Sequence, residues 1–236
     1  MNTIDISIVL PVYNERKRIL YGVEQAIQLG QLLQQNYEII IADDGSDDDS
    51  IDTIASLQDN HPIKIYKFDH KGKGHAVKQA MLQAKGRRVL FSDIDWSVPI
   101  LQAKQMLDMP HDIVIASREI HGARRIAEPP HRHILGTIFN RWVQWTLLSG
   151  YMDTQCGCKV FAQSCIQSIF SKVQEDGWAF DVEVLLIAHT QGYRVYEHPI
   201  SWQYQSQSKI RIIKDGLQMA YAVLRMKSRL QQGQYR

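Results

Sequence analysis

A chain of 236 residues, 44% hydrophobic and 22% charged, has the composition of a soluble globular protein rather than a disordered one, and it is long enough to bury a core as one domain. Its 27 Lys and Arg against 25 Asp and Glu leave a formal charge of +2, too small to imply nucleic acid as a partner. The three cysteines, Cys156, Cys158 and Cys165, lie too close together for an extracellular disulfide framework and point to a reduced, cytoplasmic setting.

In chain order, the first strand is expected at Ile6–Val12, a β-branched run too short for a secretory signal and cut by Pro11. Ile19, Val23, Ile27 and the Leu32-Leu33 pair then recur at helical spacing. Strands follow at 37–42, 63–68 and Arg88–Ser92, with a helix at 74–85 before the last of them. This alternation predicts an α/β fold whose mostly parallel sheet is flanked by helices on both faces. Residues 134–148 are rich in large apolar side chains but include Arg141, Trp142 and Trp145, which suits either an interfacial helix or a core helix. Residues 212–230 read as an amphipathic helix with Lys214, Arg225, Lys227 and Arg229 as its cations. Such a helix fits an anionic membrane surface, a docked terminal helix or a dimer contact equally well. No window holds the roughly 18 continuous apolar residues of a spanning helix, so a chain that does not cross a membrane is expected.

Open parallel sheets bind ligands beyond the carboxyl ends of their strands, so the residues there carry the functional signal. Pro11-Val12-Tyr13-Asn14-Glu15 close the first strand, and Asp43-Asp44-Gly45-Ser46 follow the second. Lys71-Gly72-Lys73-Gly74 follow the third, and Asp93-Ile94-Asp95 the fourth. Two carboxylates at i and i+2 can reach one Mg2+ or Mn2+, though the same pattern also makes solvated turns. Asp43 or Asp44 could accept hydrogen bonds from a base edge, or could simply belong to a capped turn. The lysine and glycine loop opens a helix and can hold a phosphate, but it lacks P-loop spacing.

Together these segments resemble the inverting family 2 glycosyltransferases of GT-A (Rossmann-like) fold. The second half narrows the likeness. Asp153-Thr154-Gln155-Cys156-Gly157-Cys158-Lys159-Val160-Phe161 is similar to the D-T-Q-C-G-F-K-L-F segment of polyprenyl-phosphate sugar synthases, with Cys158 in place of Phe. Trp178-Ala179-Phe180-Asp181-Val182-Glu183 matches their W-A-F-D-V-E segment, and Ser117-Arg118 and Ser208-Lys209 also have counterparts. The likeness covers nearly the whole chain and is greatest to dolichyl-phosphate glucosyltransferases and dolichyl-phosphate mannose synthases.

The resemblance implies a single domain over 1–236, with a nucleotide-sugar half (1–118), an acceptor half (119–205) and a C-terminal amphipathic helix (206–236). It implies Mg2+ or Mn2+ on Asp93, Asp95 and the amide oxygen of Gln155. Pro11, Tyr13, Glu15, Asp43, Asp44, Lys73 and Asp93 would bind the nucleotide. Arg118, Arg132 and Lys209 would hold the phosphate of a lipid acceptor, with Arg124, Arg125 and Arg141 as nearby alternatives. Asp95, Asp153, Arg118 and Arg132 would form the catalytic set, with Asp153 orienting the acceptor or an arginine. The implied donor is UDP-glucose, then GDP-mannose, and the implied location is the cytoplasmic face of a membrane, bound peripherally. Two other readings stay open on the sequence alone. One is a family 2 enzyme acting on a sugar or protein hydroxyl, with Asp153, Asp181 or Glu183 as base; the other is a non-catalytic nucleotide-binding protein.

Overall fold

The computed structural model describes residues 3–205 and 212–236, so Lys209 lies outside the described residues. The chain runs β1 (Ile6–Val12), α1 (Ile19–Leu33), β2 (Tyr37–Asp43), α2 (Ser50–Ile54), β3 (Ile63–Lys67), α3 (Lys73–Gln83), β4 (Arg88–Ser92) and α4 (Ile100–Leu107). It continues through β5 (Ile113–Ser117), β6 (Arg124–Ile126), α5 (Pro130–Thr146), β7 (Cys158–Ala162) and α6 (Gln163–Phe170). The last elements are α7 (Phe180–Thr190), β8 (Val195–Pro199), β9 (Ser201–Gln203) and α8 (Ile212–Gln231). The strands and helices expected in the first half fall within two residues of these bounds.

Seven strands form one sheet in the order β3-β2-β1-β4-β7-β5-β8. Only β7 runs antiparallel, between β4 and β5. β6 and β9 pair in a small parallel sheet of their own. Successive side chains of a strand point to opposite faces, and both faces here are covered. Ile8, Leu10, Ile39 and Ile41 pack in one layer with Ile19, Val23 and Ile27 of α1. Val9 and Ile40 belong to the other layer, with Ala76, Val77 and Ala80 of α3. That is why β1 and β2 read as continuous apolar runs rather than alternating ones.

Two helices behave differently from the plainest expectation. On α5 only Val143 is buried, so the core-helix reading fails for most of that segment. α5 packs beside α8 and meets the core mainly through Val143, Phe139 and Trp142, while Ile134, Leu135, Ile138 and Trp145 stay exposed. On α8, Ala222, Val223 and Met226 enter the core, while Leu217, Tyr221 and Leu224 face outward. Two of its expected membrane-facing cations, Arg225 and Arg229, are instead ion-paired with Glu175. No helix among the described residues is long and apolar enough to cross a membrane.

Candidate functional site

The acidic loop after β4 alternates in burial around a turn in which the Trp96 backbone N–H donates to the Asp93 carbonyl at 3.2 Å. Ile94, Trp96 and Val98 are buried, and Asp93, Asp95 and Ser97 between them are turned toward the cleft. The indole N–H of Trp96 donates to the Gly22 carbonyl of α1 at 2.7 Å. Trp96 holds φ of +47°, an uncommon value for a bulky residue that this burial and hydrogen bond fix in place. Ile94 and Trp96 are thus seated against Gly22 of α1, and the two carboxylates stay partly exposed.

Those carboxylates are compensated by the chain's own cations. Lys73 Nζ lies 2.6 Å from Asp93 Oδ1, and Arg18 Nη1 lies 3.8 Å from Asp95 Oδ2. Burial, reinforced by the charge of Asp93, raises the pKa of Asp95. For Lys73 burial opposes the charge, but Asp93 and Asp181 outweigh it and its pKa is raised. Asp95 Oδ1 also accepts from the Ser97 backbone and hydroxyl, at 3.0 and 2.8 Å. Gly157, just before β7, meets Asp93 from the far side: its carbonyl accepts from Asp93 N at 2.9 Å, and a Cβ built on it would lie 1.9 Å from Asp93 Oδ2.

This donor set suits a hard divalent cation. Two like-charged carboxylates held close together, with oxygen donors only, match the coordination chemistry of Mg2+ and Mn2+. Among the described residues no group of three or more His, Cys, Asp or Glu gathers, so the remaining positions suit ligand or water oxygens. Gln155 lies two residues before Gly157, and its backbone N–H donates to Asp153 Oδ1 at 3.2 Å.

The loops after β1 and β2 meet beside this centre. Tyr13 stacks on His70 with ring centroids 4.0 Å apart. Both oxygens of Asp44 accept from the Gly72 backbone N–H, and Oδ1 also takes that of Lys71 at 3.0 Å. His70 Nδ1 sits 2.8 Å from Asp44 Oδ2, so this carboxylate shapes the loop that carries Lys73. Asp43 Oδ1 accepts from Ser46 N at 3.0 Å, and Glu15 holds Arg18 through two contacts of 2.7 Å. Asp43, Asp44, Glu15, Tyr13 and Pro11 are therefore gathered at one strand edge, as the sequence suggested.

On the other side of the acidic loop, Asp153 is 2% exposed and locked to Arg118. Its carboxylate accepts from Arg118 Nε at 2.7 Å, Nη2 at 2.9 Å and the backbone N at 3.0 Å. Burial alone would raise its pKa, but the Arg118 guanidinium outweighs this and holds it at about 2. Arg118 and Arg125 both lie over the Trp202 ring, at 5.2 and 5.9 Å, and Arg132 lies over Tyr204 at 5.5 Å. Trp202 and Tyr204 pack edge to face at 6.1 Å, and Trp202 lines one small cleft with Asp93, Ser97 and Gly157. Cation, aromatic and acidic groups thus share a wall. Arg125 is spoken for by Glu119 and Glu128, while Arg124 and Arg141 are exposed.

Residues 7–173 match the glycosyl transferase family 2 model. The chain belongs to that family. Among curated proteins it is 30% identical to the dolichyl-phosphate beta-glucosyltransferase of Saccharomyces cerevisiae, covering 91% of this chain and 72% of that protein. It is also 30% identical to the enzyme of the same name from Dictyostelium discoideum, covering 97% of this chain and 76% of the relative. Among solved structures, glucosyl-3-phosphoglycerate synthase from Mycobacterium tuberculosis in complex with Mn2+, uridine-diphosphate and glucosyl-3-phosphoglycerate superposes with a TM-score of 0.69 at 16% identity, covering 95% of this chain and 80% of that one. At that identity the likeness speaks for the GT-A fold alone.

Trp202 and Tyr204 were not singled out from the sequence of this glycosyltransferase, and Arg125 was named only as a nearby alternative. The Trp-x-Tyr spacing was the available signal, since period two puts both rings on one side of an extended segment.

Proposed function

We propose that this glycosyltransferase moves a glucosyl group from UDP-glucose to a polyprenyl monophosphate of the dolichyl-phosphate kind, with inversion at the anomeric carbon. GDP-mannose is the next donor to test. The observation that carries this reading is the state of the three carboxylates that a hydroxyl acceptor would need as base. Asp153 is held near pKa 2 by Arg118, Asp181 lies 2.5 Å from Lys159, and Glu183 takes two backbone amides at 2.7 Å. Each is already committed to an internal partner, Asp181 keeping Lys159 even though burial raises its pKa. A phosphate monoester is already anionic and needs none; it needs placement and charge compensation.

Arg118, oriented by Asp153, and Arg132 would supply that compensation, the planar guanidinium fork matching phosphate oxygens. Lys209 is proposed with them. Asp93 and Asp95 would hold Mg2+ or Mn2+, with Gln155 proposed as an amide-oxygen ligand, and a bound metal would neutralise charge on the departing diphosphate. Tyr13, Pro11, Glu15 and Asp43 would line the nucleoside pocket, and Lys73 would turn from Asp93 to the diphosphate. The names and coverage of the two glucosyltransferase relatives support the same acceptor class. The exposed Ile134, Leu135, Ile138 and Trp145 of α5, with Leu217, Tyr221 and Leu224 of the adjoining α8, offer a face for the cytoplasmic side of a membrane.

The test pairs UDP-glucose, UDP-N-acetylglucosamine and GDP-mannose with undecaprenyl and dolichyl phosphate in detergent, with Mn2+, Mg2+ or EDTA. Glucosylated lipid phosphate is the expected product, with none under EDTA. Transfer confined to sugar hydroxyls rejects the acceptor, and full activity after chelation rejects the metal. Co-sedimentation with anionic vesicles, expected to weaken in Trp145→Glu, reads the membrane face; unchanged binding removes it.

Gly157→Ala isolates the metal contact. A Cβ there has to displace the Asp93 carboxylate, so Mn2+ affinity by paramagnetic resonance is expected to fall by about tenfold or more while the fold is kept. Wild-type affinity in this variant would take Asp93 out of the ligand set.

A further inference from the structure

Glu183, in the first turn of α7, has no exposed side-chain surface, yet it lies outside the cleft. A carboxylate so buried is tolerated only when several donors meet it. Four do, from two parts of the chain. Oε2 accepts the backbone N–H groups of Gln174 and Glu175, both at 2.7 Å. Oε1 accepts the Tyr235 hydroxyl at 2.6 Å and Arg229 Nη1 at 3.1 Å. Arg229 also reaches Glu175 at 2.8 Å, and Arg225 completes that carboxylate at 2.5 Å. One buried charge cluster therefore ties α8 and the residues after it to the loop 174–178.

That loop has no regular secondary structure of its own, and it forms the wall behind Lys73. The carbonyl of Asp176 accepts from His75 N at 3.2 Å, in the first turn of α3. Gly74 approaches so closely that a Cβ on it would lie 2.5 Å from the Glu175 carbonyl oxygen and 2.6 Å from Phe180 Cβ. Lys73 Nζ, 2.6 Å from Asp93, sits 5.4 Å from the Trp178 ring centroid and 5.7 Å from that of Phe180. Wherever the loop settles, the start of α3 and the ammonium of Lys73 must follow. Arg118, Arg132, Trp202 and Tyr204 make none of these contacts.

We propose that α8 and Tyr235 act as a brace for the donor side of the site: Tyr235 and Arg229 are positioning residues that set Lys73 through Glu183 and the loop 174–178. This rests on the reading of Lys73 as a diphosphate ligand, but not on the identity of the acceptor. An irregular loop is among the easier parts of a fold to open, and the brace removes that freedom before the nucleotide arrives.

The experiment is calorimetric titration of full-length protein with the nucleoside diphosphate the wild type binds, UDP or GDP, in the presence of Mn2+ and without acceptor. Tyr235→Phe keeps the ring in the core and removes only the hydroxyl, so it is the variant that folds; thermal unfolding is recorded beside it. Nucleotide affinity is expected to fall about fivefold in Tyr235→Phe and more than tenfold in Arg229→Gln, with partial recovery in Arg229→Lys. The acceptor KM is expected to stay within twofold of wild type. Nucleotide affinity within twofold of wild type in Tyr235→Phe overturns the brace, as does a parallel loss of nucleotide and acceptor binding. A wild type that binds neither nucleotide overturns the donor reading and the brace together. Normal nucleotide loss in the variants with no transfer to lipid phosphate rejects the acceptor alone.

Discussion

Asp95→Asn is expected to lower transfer about a thousand-fold while leaving the metal-free protein as stable as wild type or slightly more so. Metal stabilisation of a leaving diphosphate is worth several kcal/mol, and each ~1.4 kcal/mol is a factor of ten in rate. The substitution is nearly isosteric, and an asparagine oxygen can still accept from the Ser97 amide and hydroxyl that Asp95 Oδ1 now holds. Stability moves the other way because burial and Asp93 raise the pKa of Asp95. A carboxylate with a raised folded pKa destabilises the native state wherever it is forced to ionise, at pH above its unfolded value. The neutral amide removes that penalty. Initial rates with Mn2+ and calorimetric melting without it would be measured together. A rate within tenfold of wild type rejects the ligand role, and a large drop in melting temperature means that Asp95 is structural first.

Arg118→Met should be costly in a different and pH-dependent way. Removing one member of a buried pair leaves an uncompensated charge, a loss of about 3–5 kcal/mol. Asp153 is 2% exposed and has three of its hydrogen bonds from Arg118, so little solvent is present to soften this. In the wild type its pKa of about 2 lies below the unfolded carboxylate value. The pair therefore stabilises the fold above about pH 4, and that contribution, on the order of 2 kcal/mol, is lost as the pH falls through 4 toward 2. The gap between wild type and variant should be widest at neutral pH and narrow on acidification. Urea unfolding at pH 7 and pH 3.5 reads it, and a gap independent of pH contradicts the pairing. Transfer should fall about a hundredfold, with Arg118→Lys recovering little of it because an ammonium lacks the fork.

The gathering of loops at the carboxyl ends of β1 to β4 was legible in the sequence because these elements carry local signals. Buried parallel strands show as β-branched runs, and the polar residues after them are the ones the topology gathers. The acidic pair was readable, but not the reason it points outward: the pegs Ile94 and Trp96 matter only once α1 lies beside them. Asp44 had two readings, and the structure gives its oxygens to the amides of the Lys73 loop, which no spacing rule announces. Trp202 and Tyr204 sit on and just after a three-residue strand, so their Trp-x-Tyr spacing was the one trace they left. The apolar run of α5 was ambiguous because composition does not say which side of a helix meets the core. Arg225 and Arg229 looked like surface cations for the same reason; their acidic partners lie about fifty residues earlier in the chain.

The single antiparallel strand of the large sheet also bears on which pairings are available while the chain is being made. β4 and β5 are not neighbours; β7 stands between them and reaches the sheet only after α5 has been made. Until then a nascent chain carries an unpaired β4 edge and a β5 with no hydrogen-bonded partner among the strands already made, both open to mispairing. Because β7 runs against its neighbours, the loop before it, rather than the loop after it, arrives at the carboxyl end of β4. The same insertion that closes the sheet thus brings Asp153 to Gly157 against the acidic loop, and the site comes into being in the step that ends the exposure of those edges.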